Sequence, residues 1–147
     1  MSEKEMTNFE KVKDFNRKFN LGGRDTSEFD NSDKTTDSLH LGWDLIAEEF
    51  DEFTDEHDEL MDSFMMDDSD KYRIVRTKIS KELADVLYVV YGYADRLGIP
   101  IDEIFNEVHR SNMSKLDKDG NPLYNSDGKL LKSDGYLPPD VDQFFKD

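Results

Sequence analysis

The sequence predicts an all-α protein: a single domain that forms a four-helix bundle and carries an irregular C-terminal tail. Three observations support this prediction. Four stretches repeat apolar residues at helical spacing, Gly and Pro turn signals collect after residue 113, and 147 residues suit one domain. The 36 Leu, Ile, Val and Phe residues suffice for a modest core. We place the helical core at about 8–113 and the tail at about 114–147.

The first two helices follow from a capping signal and from periodicity. Thr7 and Glu10 fit a capping box at the start of a helix over about 8–20. A polar segment over about 21–37 is typical of a long loop. The second helix, about 38–61, carries a heptad-like stripe that we expect to face the third helix. The stripe consists of Leu39, Trp43, Ile46, Phe50, Phe53, His57 and Leu60.

The third and fourth helices are bounded by a loop and a stop signal. A second polar loop is predicted at about 62–71, and a third helix over about 72–97 ends at Gly98. Because 86–94 is uncharged on every face, we expect this helix to be the central buried one. A fourth helix follows at about 101–113, and the tail after it has room for one short hairpin.

Charge is distributed unevenly along the chain, whose net charge is −16. Residues 43–70 hold 13 acids and no Lys or Arg, whereas 109–132 hold five bases against three acids. So acidic a protein is a poor binder of nucleic acid or anionic membranes. The chain has no Cys for a thiolate site, no apolar leader and no run of ~20 apolar residues, so we expect a cytoplasmic protein.

Two pairs of carboxylates are candidates for chemistry. Glu82 and Asp85 lie three residues apart on one face of the third helix, beside apolar positions. Like charges this close need a countercharge, which either a neighbouring Lys or a metal cation can supply. Glu49 and Glu52 have the same spacing on the second helix. If these helices pack antiparallel, four hard oxygen donors would face one groove, and such donors suit Mg²⁺ or Mn²⁺.

The order of these acids resembles a family signature. Glu48-Glu49-x-x-Glu52, followed by Glu82-x-x-Asp85, is similar to the ExxE…ExxD pattern of the all-α nucleoside triphosphate pyrophosphohydrolases. The tail adds a second similarity, to the phosphoribosyl-ATP pyrophosphohydrolase-like, MazG-like branch, and the whole resemblance spans roughly 8–140. The tail string is Ser111-Asn112-Met113-x-Lys115-Leu116-Asp-x-Asp-Gly120-x-Pro122, then Asp127-Gly128-Lys129 and Lys132.

The resemblance implies one MazG-like helical domain and a specific reaction. Members cleave the α–β phosphoanhydride of a nucleotide, with Mg²⁺ held by the two motifs, and release a monophosphate and pyrophosphate. The implied metal ligands are Glu49, Glu52, Glu82 and Asp85, and the implied catalytic residues are Glu48, Glu49 and Glu82, with Glu48 as a candidate base. The implied nucleotide contacts in the tail are Asn112, Lys115, Lys129 and Lys132.

Two further residues are candidates for contact with a base. Trp43 is the best candidate for stacking, although an aromatic residue at helical spacing is more often part of a core. Asn16 lies on the aromatic face of the first helix, where it reads a base edge or caps a neighbouring backbone group.

Several functions remain compatible with the sequence. We expect an NTP or dNTP as substrate, and the alternatives are phosphoribosyl-ATP or a non-catalytic acidic helical module that binds a basic partner. A polar four-helix unit gains buried apolar surface by assembling, and members of the superfamily form oligomers, so we expect a homodimer or homotetramer.

Overall fold

The computed structural model describes residues 5–21 and 31–146, which confirm an all-α fold with four helices. The helices are α1 (Asn8–Phe19), α2 (Asp33–Met65), α3 (Ser69–Arg96) and α4 (Ile101–Met113), followed by a short 3-10 turn at Asp142–Phe144. The chain divides into two compact units. Unit 1, Met1–Ile99, holds α1 to α3, and unit 2, Pro100–Asp147, holds α4 and the tail.

Helix boundaries follow local capping. The predicted capping box begins α1, since Thr7 Oγ1 accepts from the Glu10 amide at 3.1 Å and Glu10 Oε2 accepts from the Thr7 amide at 2.7 Å. The predicted loop at 62–71 is wrong, because only Met66–Asp68 separates α2 from α3. Asp68 is the N-cap of α3 and accepts hydrogen bonds from two backbone amides of that helix. Asp is common both in loops and at N-caps, so its presence in the sequence suggests a loop.

The start of α2 also differs from the prediction. The helix begins at Asp33 with Ser32 as its N-cap, so the polar loop ends earlier than the expected residue 37. Much of the remaining predicted loop, 22–30, lies outside the described residues.

A short turn makes α2 and α3 an antiparallel helical hairpin. Ion pairs between the two helices advance in step away from the turn and define the register. In order, they are Lys71–Glu59 at 2.9 Å, Lys78–Glu56 at 3.4 Å and Lys81–Glu52 at 4.0 Å. At the far end, the Arg96 guanidinium donates to Ser38 Oγ at 2.7 Å. This register places the middle of α2 opposite the middle of α3.

The face of α2 that meets α3 includes only part of the predicted apolar stripe: Leu39, Ile46, Phe53 and Leu60 are half-buried, whereas the other members are exposed. A Cβ on Gly42 would lie 2.8 Å from Tyr93 Cδ2 and 2.9 Å from Arg96 Cδ, so a glycine permits this close approach. Within the stripe, Trp43 is 62% exposed and Phe50 is 55% exposed. Polar and small side chains therefore form much of the contact, and part of the apolar stripe is turned away from α3.

α1 packs on a second face of α3. Phe9 and Val12 are buried, and the Phe9 ring lies 6.0 Å from that of Tyr91 between centroids. Phe15 meets Tyr88 edge-on, with centroids 5.6 Å apart. These contacts provide the apolar part of the interface between α1 and α3.

The third helix is central, as expected, since it packs against both α1 and α2, but the expectation that it is buried is wrong over 86–94. Leu87 is 55% exposed, and Leu83 and Val90 are also exposed on the same side of α3. A run of apolar residues predicts burial, but it does not identify the helix or the molecule that buries them. Exposed apolar faces of this kind mark interaction sites.

The tail in unit 2 contains the expected short hairpin. Tyr124 and Leu130 form an antiparallel bridge, and the Leu131 amide donates to the Leu123 carbonyl at 2.7 Å. Gly128 adopts a φ of 75° in the turn, a conformation that favours glycine. None of the helices in the described part of the chain combines the length and apolarity that crossing a membrane requires.

The close approach at Gly42 generates a stability prediction. Gly42→Val should destabilise the protein by about 1–3 kcal/mol, because the new side chain overlaps the Tyr93 ring and the Arg96 stem. Chemical denaturation measures the loss. Ala47→Val, at an exposed position of the same helix, is the control and should cost less than about 1 kcal/mol through helix propensity alone. Equal losses in the two variants would contradict tight packing at Gly42.

Candidate functional site

Three of the four proposed metal ligands lie together between α2 and α3. One carboxylate oxygen from each of Glu49, Glu82 and Asp85 can be chosen so that all three lie within 4.8 Å of one another. The i, i+3 spacing puts Glu82 and Asp85 on one face of α3. The hairpin register then brings Glu49 of α2 opposite them. We call these three residues the carboxylate cluster.

The electrostatics of the carboxylate cluster are those of crowded acids. Burial, and then the Asp85 carboxylate, raise the pKa of Glu49 above its ordinary value. Glu49 Oε2 is buried, and no hydrogen-bond partner for it exists among the described residues. Glu82 is only 7% exposed. Buried carboxylates need a cation or hydrogen-bond donors, so the cluster has an unmet demand for positive charge.

Lys81 supplies part of that charge. Its ammonium lies 2.8 Å from Asp85 Oδ2 and 3.2 Å from Glu82 Oε2. Hydrogen bonds to these two carboxylates raise the pKa of Lys81 above its ordinary value. The sequence left Lys and a metal open as alternative countercharges, and the structure shows the Lys contacts. Lys81 is not among the site residues predicted from the sequence, although its i, i+4 spacing to Asp85 is a usable signal.

The donor set also fits a divalent metal ion. Three carboxylates offer hard oxygen ligands, which Mg²⁺ and Mn²⁺ prefer. Among the described residues, Glu49 Oε2 and Glu56 Oε2 are buried acceptors that lack a donor, and of these two only Glu49 belongs to the carboxylate cluster. The carboxylate cluster can therefore hold a metal ion, with Glu49, Glu82 and Asp85 as the residues that would bind it.

Two other acids proposed from the sequence lie outside this group. Glu52 does not belong to the set that shares one ligand position, and its Oε2 lies 4.0 Å from the Lys81 ammonium. Glu48 is exposed beside Glu49. Both remain next to the carboxylate cluster in sequence and on the same helix.

The two candidates for base contact have different surroundings. Trp43 is exposed, so the expectation that it belongs to the core is wrong, and its ring is accessible in unit 1. Asn16 is buried, and its amide donates to Asp95 Oδ2 at 2.8 Å. The sequence suggests a base edge or a neighbouring backbone group as the partner of Asn16. The structure instead pairs the Asn16 side chain with the Asp95 side chain, in a contact between α1 and α3.

The candidate tail residues all belong to unit 2. The Lys115 ammonium donates to Asn112 Oδ1 at 2.7 Å at the end of α4. Lys129 is exposed and follows the hairpin turn, and the Lys132 ammonium lies 4.3 Å from the centroid of the Tyr136 ring. An open cavity of about 780 Å³ in this unit is lined by Lys132 and also by Lys118, which sequence analysis did not single out.

The tail is fastened to α4 by charged hydrogen bonds. Arg110 forms a two-pronged contact with Glu107, at 2.8 and 2.7 Å, and donates to the Pro138 carbonyl at 3.1 Å. Glu107 Oε1 accepts from the Asp140 amide at 2.8 Å. Arg110, followed by the Asp140 amide, lowers the pKa of Glu107 to about 2. These contacts hold the end of the tail against the helix that carries Asn112.

Comparison with known families identifies the chain. The model of the phosphoribosyl-ATP pyrophosphohydrolase family matches residues 12–112. The chain belongs to the phosphoribosyl-ATP pyrophosphohydrolase family. This membership confirms the resemblance to the MazG-like all-α nucleoside triphosphate pyrophosphohydrolases. In this family member, the matched region contains the whole carboxylate cluster.

A viral relative matches a smaller part of the chain. Over 38 residues, the protein is 50% identical to the uncharacterized protein L479 of Acanthamoeba polyphaga mimivirus. The match covers 26% of this chain and 15% of the viral protein. The chain thus spans only a small fraction of the length of that relative.

The fastening of the tail predicts a pH-dependent contact. The lowered pKa of Glu107 means that its contacts stabilise the tail above pH 4.5 and are lost as the pH falls toward 2. At pH 7, Glu107→Gln should lower the hydrogen-exchange protection of the Asp140 amide. In wild type this protection should fall as the pH drops below 4.5, and in Glu107→Gln that fall should be absent. Glu103→Gln, an exposed change on the same helix, is the control. Unchanged protection in Glu107→Gln would show that the carboxylate does not hold the tail.

Proposed function

We propose that this protein is a divalent-metal-dependent nucleotide pyrophosphohydrolase. It would cleave the α–β phosphoanhydride of its substrate and release a monophosphate and pyrophosphate. The observation that carries this proposal is the carboxylate cluster, which combines a shared ligand position with a buried acceptor that lacks a donor among the described residues. Membership of a pyrophosphohydrolase family supports the reaction type.

The carboxylates have distinct proposed roles. Glu49, Glu82 and Asp85 hold Mg²⁺ or Mn²⁺. Such an ion, when bound, polarises phosphoryl oxygens and lowers the pKa of a water. Glu48, which is exposed beside this cluster, accepts the proton of the attacking water. Glu52, within reach of Lys81 at 4.0 Å, completes the acidic rim as an additional metal ligand.

Substrate phosphates need positive charge near a protein with a net charge of −16. A bound metal would provide it at the carboxylate cluster of unit 1. Within unit 2, and on the resemblance of the tail alone, Lys115, Lys129 and Lys132 are the proposed phosphate contacts. Asn112, whose side-chain carbonyl already accepts from Lys115, would orient that ammonium.

Two substrate classes are candidates. An NTP or dNTP is the first, and the exposed Trp43 ring offers its base a stacking surface. Phosphoribosyl-ATP is the second, and the description of the matched family favours it. Both substrates carry the same scissile α–β bond, so one metal centre serves either reaction.

Exposed apolar surface supports assembly into at least a homodimer. Trp43 and Phe50 on α2, with Leu83 and Leu87 on α3, are about half exposed or more. Soluble monomers rarely leave several such residues on neighbouring helices uncovered. A second copy of this chain is the proposed cover.

The reaction is tested by measuring pyrophosphate release from a panel of NTPs, dNTPs and phosphoribosyl-ATP, with Mg²⁺, Mn²⁺ or EDTA. Wild type should release pyrophosphate only with metal. Glu82→Gln should lose more than about 100-fold in rate, because even indirect damage to metal ligands costs 10–100-fold.

The control for this assay is Asp58→Asn, an exposed acid of α2 outside the carboxylate cluster, which should leave the rate unchanged. Circular dichroism verifies that both variants fold. Release that persists in Glu82→Gln would reject the assigned metal centre. A folded wild type that releases nothing from any substrate would favour the non-catalytic acidic module.

Assembly is tested by sedimentation velocity at micromolar concentration. We expect a dimer or a larger species, and Leu87→Lys should shift it toward monomer, because a charge replaces an exposed apolar side chain. Lys18→Ala, at an exposed site on α1, serves as the control. A wild-type monomer would contradict the assembly.

A further inference from the structure

Lys81 and a metal ion would draw on the same carboxylates. The Lys81 ammonium lies 2.8 Å from Asp85 Oδ2, 3.2 Å from Glu82 Oε2 and 4.0 Å from Glu52 Oε2. Asp85 and Glu82 are also two of the three residues of the carboxylate cluster. Lys81 thus contacts two of the three acids that are the proposed metal ligands.

We propose that Lys81 is a tethered competitor of the metal ion: its ammonium partly neutralises the carboxylate cluster until a divalent cation displaces it. The inference rests on the metal centre of the Proposed function and adds a residue that sets metal affinity. Two cations cannot share these oxygens at close range without strong repulsion. Binding of the metal therefore requires the ammonium to leave.

The surroundings of Lys81 allow it to leave. Its side chain is 64% exposed, whereas that of Glu82 is 10% exposed, so the lysine can move while its partner stays in place. The flexible stem allows the ammonium to move into water without a change in the helix. Exposed ion pairs of this kind are weak and exchange readily. The acids lose little rigidity, because both belong to the middle of α3.

The register of the hairpin provides a matched control. Lys78 lies three residues before Lys81 on α3, and its ammonium pairs with Glu56 at 3.4 Å. Glu56 does not belong to the carboxylate cluster. Removing Lys78 therefore removes one positive charge from the same helix without removing a competitor for the metal ligands.

The test is a titration of metal-free protein with Mn²⁺ alone, followed by electron paramagnetic resonance of free Mn²⁺. Lys81→Met should bind Mn²⁺ roughly two- to fivefold more tightly than wild type, the range expected for loss of a competing exposed ion pair. Lys78→Met should change the affinity less than about twofold, because solvent and salt screen the more distant charge. Lys81→Arg keeps the charge and should stay near wild type.

Thermal melting gives a second readout that needs no activity. In EDTA, Lys81→Met should melt below wild type, because the three carboxylates lose their ammonium. Saturating Mn²⁺ should close this gap, since the ion replaces the missing charge. A gap that persists unchanged in Mn²⁺ would contradict displacement and assign Lys81 a structural role.

The outcomes separate this inference from the Proposed function. Mn²⁺ binding that is no tighter in Lys81→Met than in Lys78→Met overturns the competition and leaves the metal centre intact. An absence of Mn²⁺ binding by wild type and all three variants overturns the metal centre itself, and the competition with it.

Discussion

The central constraint in unit 1 is the crowding of three acids, whose carboxylate oxygens can lie within 4.8 Å of one another between two antiparallel helices. Like charges this close oppose joint ionisation, and a cation among them relieves the repulsion. The hairpin brings them together because a three-residue turn and a ladder of ion pairs define its register. The Arg96–Ser38 hydrogen bond and the close approach at Gly42 hold its far end. The packing of α2 on α3 therefore creates the need for positive charge, because it brings the three acids together.

The same arrangement explains why apolar side chains lie outside. The inner face of α2 carries Gly42, Glu49 and Glu56 beside half-buried apolar residues such as Ile46 and Phe53. Trp43 and Phe50 are turned outward. A hairpin that holds carboxylates on its inner face has less apolar surface for its own core. Its stability and its assembly are then linked, because a second copy that covers the outward face adds the missing apolar burial.

Much of the fold follows from local signals in the sequence. Helical periodicity located four helices, and the capping box at Thr7 and Glu10 has the expected hydrogen bonds. The i, i+3 spacing identified Glu82 and Asp85, because it needs only helix geometry. The rotation of α2 could not be predicted in this way. A heptad stripe reports which residues avoid water, but not whether the cover is α3 or another molecule. Asn16 illustrates the same limit, since its partner Asp95 is 79 residues away.

The most direct test of the metal centre is an anomalous difference map from crystals of this protein soaked in Mn²⁺. The account predicts a peak between the two helices, within about 2–2.5 Å of carboxylate oxygens from Glu49, Glu82 and Asp85. The Lys81 ammonium should then have left Asp85. Strong peaks found only elsewhere, or a Lys81–Asp85 ion pair that persists in crystals saturated with Mn²⁺, would contradict the account.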